Sequence, residues 1–210
     1  MHNRFLSAGS WTVCFFTLVL LAVGPALAQD KPADATSDAA VSFPDGSEVN
    51  QEMVEGALKG KALYQYDLGA TFENGIGTPK DYTQALTWYR KAAAQGFAPA
   101  ERALGSMYEN GYGVAKDITA AFTWYQKAAD HGYAQAEADL GRMYQLGLTV
   151  TQDSATALTW YLKAADQGYA PAQYEVGGMY YEGNGVPQDY ATAASWFSKG
   201  GRTRRCCRAN

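Results

Sequence analysis

The sequence predicts an all-α fold, a right-handed solenoid of helix–turn–helix units, and three observations carry that prediction. Trp88, Trp124, Trp160 and Trp196 stand 36 residues apart. The same spacing separates Gly69, Gly105, Gly141 and Gly177, and again Gly60, Gly96, Gly132 and Gly168. Asp81, Asp117, Asp153 and Asp189 recur on it too. Four independent columns sharing one period specify stacked supersecondary units, each contacting only its neighbours.

The elements follow in chain order. His2 and Arg4 precede an apolar run from Trp11 to Val23, broken by Gly24-Pro25 and followed by Ala26-Leu27-Ala28. This is the pattern of a signal peptide over residues 1–28, cleaved after Ala28, and the run is short for a membrane span. Residues 29–48 are rich in Asp, Ala, Pro and Ser, too polar to order themselves, and read as a flexible linker. Residues 49–61 form a capping half-repeat. Ala57 and Gly60 fall on the alanine and glycine columns, and Glu52 stands where a Trp is expected. Four units follow: residues 62–97, 98–133, 134–169 and 170–201, the last incomplete. A basic tail, residues 202–210, is expected to be disordered.

The second unit shows why each piece folds. Helix A is predicted from Ala98 to Asn110, with Pro99 tolerated in the first turn. Its apolar stripe is Ala100, Leu104, Met107 and Tyr108. Gly105 lies on this helix at a cost of about 1 kcal/mol against Ala, so its recurrence predicts a close helix–helix approach. Gly111-Tyr112-Gly113 ends helix A with a tight reversal. Asp117 caps helix B, which presents Ala121, Trp124, Tyr125 and Ala128 and ends at Gly132. The Trp column is expected to supply the largest buried area. In the third unit Thr149 replaces the second loop glycine. Because a β-branched residue resists positive φ, another loop path is expected there. In the fourth, Gly200-Gly201 replaces an alanine pair, which predicts a frayed last helix.

The pattern A-x-A-x-x-x-L-G-x-M-Y-x-x-G-x-G-V-x-x-D-x-x-x-A-x-x-W-Y-x-K-A-A-x-x-G, matched nearly in full by residues 98–132, resembles the Sel-1-like repeat. The resemblance covers residues 62–199. It implies a tetratricopeptide-like solenoid adaptor that assembles protein complexes or serves signalling, of the exported bacterial type. A cysteine-rich exported subgroup is linked to β-lactam binding or hydrolysis and carries paired cysteines inside its repeats. Here Cys14, Cys206 and Cys207 all lie outside them.

Little in the sequence suggests catalysis. No enzyme activity, cofactor or metal is expected. His2 and His131 are the only histidines, and Cys206 and Cys207 sit far from both, so no zinc set forms. His131 occupies the position of Gln95 and Gln167, a polar helix end. The Gly-x-Gly loops follow helices, not strands, and are turns rather than phosphate cradles. The net charge is −4, and residues 62–201 hold 14 acidic and 9 basic side chains, so no nucleic acid is expected as a partner. Membrane contact is expected only through the signal peptide before cleavage, and the mature chain is expected to be a monomer.

The columns that vary between units are free to carry specificity. On helix A three such columns share one face, about 200° from the apolar stripe. One holds Tyr66, Arg102, Ala138 and Tyr174; the next Ala70, Ser106, Arg142 and Gly178; the third Glu73, Glu109, Gln145 and Tyr181. This face is expected to be solvent-exposed and to line a groove. Tyr66, Glu73, Arg102, Ser106, Glu109, Arg142, Gln145, Tyr174 and Tyr181 are the candidate partner-binding residues. The Tyr and Arg among them are the side chains favoured at interaction hot spots. The predicted function is a non-catalytic scaffold binding an unidentified protein, in the periplasm or outside the cell. The alternatives are a β-lactam or cell-wall hydrolase, and a carbohydrate-binding groove.

Overall fold

The computed structural model describes residues 51–206, with side chains up to Gly201. The expected signal peptide and linker, and residues 207–210 of the tail, lie outside them. Among the described residues there are nine helices and no strand. They are α1 (Gln51–Leu58), α2 (Ala62–Asn74), α3 (Tyr82–Ala93), α4 (Ala98–Asn110), α5 (Ile118–Asp130), α6 (Ala134–Leu146), α7 (Ser154–Asp166), α8 (Ala170–Glu182) and α9 (Tyr190–Cys206). Each helix packs on the one before and the one after it. The result is an all-α solenoid. Even-numbered helices are the A helices of the four units and odd-numbered ones, from α3, the B helices.

The caps are those the repeat spells out. Asp81, Asp117, Asp153 and Asp189 each accept hydrogen bonds from the amides two and three residues on, which satisfies donors with no partner inside the helix. The A helices end on Gly75, Gly111, Gly147 and Gly183, all left-handed. The apolar stripe of α4 is buried as expected.

The recurring helical glycine has a specific role. A Cβ at Gly69, Gly105, Gly141 or Gly177 would lie 2.6–2.9 Å from the ring of Tyr89, Tyr125, Tyr161 or Phe197 respectively. Each A helix therefore receives the aromatic ring of its own B helix directly on its backbone. The expected close approach is present, and it is ring on backbone.

This corrects the role expected of the tryptophans. Trp88 is buried, but Trp124, Trp160 and Trp196 are only half-buried. The deeply buried aromatics are their neighbours Tyr89, Tyr125 and Tyr161. One residue along a helix is a turn of 100°, and that turn takes the Trp off the axis facing helix A. Each indole is covered instead by the lysine three residues on. Lys91, Lys127, Lys163 and Lys199 place Nζ 3.8–4.1 Å from the ring centroids, a cation–π contact that also shields apolar surface.

Two further expectations change. Thr149 does not reroute its loop: its φ is +66°, the same as Gly77 and Gly113. The path is dictated by the preceding unit. A Cβ on Gly113 would lie 2.8 Å from the backbone of Tyr82, and one on Gly185 2.5 Å from that of Ser154. Thr149 thus holds a conformation that disfavours L side chains. Thr149→Gly is expected to stabilise the protein by about 0.5–1 kcal/mol after the entropy of the unfolded glycine is subtracted. Chemical denaturation reads this out. The helix α9, likewise, runs through Gly200-Gly201 to Cys206 rather than breaking there. Gly200 is buried against α8, with the Ala170 carbonyl 3.3 Å from where its Cβ would stand. Packing outweighs propensity at this position.

Candidate functional site

Within each of the first three units, two polar links tie helix A to helix B. At one end, Gln95 donates to Gln65 (2.7 Å), His131 Nδ1 lies 2.8 Å from Glu101 Oε2, and Gln167 donates to Glu137 (2.7 Å). His131 is therefore a structural bridge to a buried carboxylate. His131→Gln should leave stability nearly unchanged, because Gln does the same work in the flanking units. His131→Ala strands Glu101 and should cost about 1–3 kcal/mol. Equal losses in the two variants, measured by thermal unfolding, would contradict this role.

At the other end, the hydroxyls of Tyr89, Tyr125 and Tyr161 donate to Glu73 (2.6 Å), Glu109 (2.8 Å) and Gln145 (2.9 Å). Burial pushes all three phenols above their ordinary range, so they remain protonated donors. In the fourth unit the pair changes together: Phe197 takes the Tyr position and Tyr181 the acceptor position.

The helix A face expected to be open is largely engaged between units. Arg102 Nε donates to Asp139 (2.7 Å), from α4 to α6. Arg142 Nη2 donates to both carboxylate oxygens of Glu109 (2.8 Å each), from α6 back to α4. Tyr66 packs between the rings of Tyr89 and Phe97, both at 5.6 Å. Tyr66, Glu73, Arg102, Ser106, Glu109, Arg142 and Gln145 are half-buried, not exposed. Helical spacing places residues on a face; it does not say what the next unit sets opposite them. Burial raises the Asp139 carboxyl above the ordinary Asp range, and the facing Arg102 and Arg142 offset this only in part.

Of the nine candidates, only Tyr174 and Tyr181 are exposed, each by 56 %. They flank a groove of about 370 Å³ between α6 and α8, whose lining also includes Gln145, Glu175, Gly178 and Glu182. Glu175 and Glu182, which also line it, are not among the candidates the sequence offers, because they lie outside the three varying columns of the A face. Glu175 is pushed above the ordinary Glu range by partial burial and by the Glu182 carboxylate. Among the described residues no group of His, Cys, Asp and Glu is arranged to hold a metal. No described helix is long and apolar enough to cross a membrane.

The Sel1 repeat family matches the chain over residues 62–97, 98–133, 134–169 and 170–202. Among solved structures, c5321, described as a protective antigen present in uropathogenic Escherichia coli strains and displaying an SLR fold, is 42 % identical with a TM-score of 0.69. That similarity covers 73 % of this chain and 33 % of c5321. A Sel1 repeat protein from Oxalobacter formigenes is 35 % identical, with a TM-score of 0.69, over 73 % of this chain and 61 % of the other. The chain thus spans about a third of the length of the first and about three fifths of the second. No curated protein matches.

Proposed function

Because the chain belongs to the Sel1 repeat family, whose members are generally protein-interaction scaffolds, we propose that it is a non-catalytic adaptor that holds a protein partner along its A helices. The observation that carries this reading is the distribution of exposed surface along the A helices. From α2 to α6 the polar face is occupied by bonds within and between units, whereas the groove beside α8 is open and edged by two exposed tyrosines. Exposed Tyr beside a polar cleft is the composition of an interaction hot spot. The binding region therefore contracts from the whole A face to its C-terminal half, around Gln145, Tyr174 and Tyr181.

A photo-crosslinking residue at Tyr181 should trap a discrete partner in cells, while one at Thr159, exposed on helix B, should not. Equal trapping at both positions, or none at Tyr181, would sink the reading. The hydrolase alternative rests only on family resemblance. Purified protein should not turn over nitrocefin, and clear turnover would replace the adaptor reading. The proposed location is the periplasm or the outside of the cell. N-terminal sequencing of the exported protein should begin at Gln29, whereas cytosolic retention with Met1 intact would refute export.

A further inference from the structure

The repeat supplies its own control experiment for this groove. Between the second and third units, two guanidinium groups lie across the cleft. Arg102 reaches forward to Asp139, and Arg142 reaches back to Glu109. Advancing each pair by one 36-residue period gives Ala138 opposite Glu175, and Gly178 opposite Gln145. Both arginines are gone; one acceptor position keeps a carboxylate, Glu175, and the other carries an amide oxygen, Gln145. The groove of about 370 Å³ opens at this position, lined by Gln145, Glu175 and Gly178. A Cβ on Gly178 would meet nothing within 4 Å, so the missing side chain leaves open space.

The electrostatics point the same way. Among the described residues neither Glu175 nor Glu182 has an ion-pair partner. Partial burial, and then the neighbouring Glu182 carboxylate, raise the cost of charging Glu175. Tyr174 and Tyr181 edge the opening, and aromatic faces accept a planar guanidinium.

We propose that the groove between α6 and α8 is a receptor for an arginine side chain presented by an extended segment of the partner protein, taking the place that Arg102 and Arg142 fill one unit earlier. This rests on the adaptor reading above and gives its partner a chemistry. A guanidinium can donate to the Glu175 and Glu182 carboxylates and to the Gln145 amide oxygen from one planar fork, which a lysine ammonium matches poorly.

The test is a titration of the isotope-labelled full chain with acetyl-Ala-Arg-Ala-amide and its lysine and citrulline counterparts, followed by NMR. The arginine peptide should shift the amide signals of Gly178, Tyr181 and Glu182. Citrulline, isosteric but uncharged, should bind at least about tenfold more weakly. Glu175→Gln with Glu182→Gln should lose about tenfold in affinity. Gly178→Arg with Ala138→Arg should abolish binding and raise the melting temperature, because it places the chain's own guanidinium groups opposite Glu175 and Gln145. Equal binding of citrulline, shifts centred on Arg102, or undiminished binding by the refilled variant would overturn the proposal. So would binding that appears only after Arg202, Arg204, Arg205 and Arg208 are changed to Ser, since the chain's own tail would then be the occupant. Intact crosslinking at Tyr181 without arginine selectivity removes the arginine assignment alone. Arginine binding without crosslinking at Tyr181 removes the adaptor reading instead.

Discussion

Tyr125→Ala is expected to lower stability by about 3–5 kcal/mol, the loss typical of a large aromatic removed from a packed interior. The ring is 2 % exposed and lies against Gly105, where no side chain stands to fill the void. Its hydroxyl donates to Glu109, which also receives Arg142, so the truncation loosens the link between units as well. Tyr125→Phe keeps the ring and should lose only about 1 kcal/mol, the ordinary net worth of a hydrogen bond. Trp124→Ala, though it removes the larger side chain, should cost less than Tyr125→Ala, about 1–2 kcal/mol. The indole is half-buried, so less apolar surface returns to water. Urea unfolding of the three variants checks the order. A larger loss for Trp124→Ala would restore the tryptophans as the main buried aromatics.

Arg102→Ala is expected to cost about 1–2 kcal/mol at neutral pH by leaving the Asp139 carboxylate buried without its nearest cation. This is reduced from the full penalty because the Arg102 side chain is 38 % exposed to solvent. The pH dependence distinguishes this cause from lost packing. Burial already raises Asp139 above the ordinary Asp range in the folded protein, against the pull of Arg102 and Arg142 and with the push of Glu109. A folded-state pKa raised above the unfolded one favours the protonated form on folding. The associated stability is present below the unfolded pKa and is lost as pH rises through the folded value. Removing Arg102 raises the folded value further. The deficit of Arg102→Ala should therefore be largest at pH 7 and shrink towards pH 4. A deficit that stays constant across this range would mean that the guanidinium acts only as packing. The same substitution should leave arginine-peptide binding beside α8 intact, since Arg102 and Asp139 do not line that groove.

The sites that were legible and those that were not differ in one respect. Helix α4 has the bounds its stripe, proline and glycines predict, because all of those signals act within a few residues. The aspartate caps are legible for the same reason. The misreadings all involve contacts between different helices, most of them between units and, at Gly200, within one. Thr149 holds positive φ because the loop closes against the preceding unit, as Gly113 does against Tyr82. Gly200 stays helical because α8 packs on it. Arg102 and Arg142, selected as free hot-spot residues, are spent on Asp139 and Glu109. Glu175 and Glu182 become interesting only because the arginines one period earlier have no successors.

By itself the sequence determined the period, the family and the helix termini within the repeats up to α8, since these follow from local caps, turns and apolar spacing that repeat every 36 residues. Only the tertiary structure decided which aromatic of each Trp-Tyr pair is buried, and which part of the A face is open. A 100° step along a helix separates core from rim, and a side chain's freedom depends on what the next unit places within bonding distance of it.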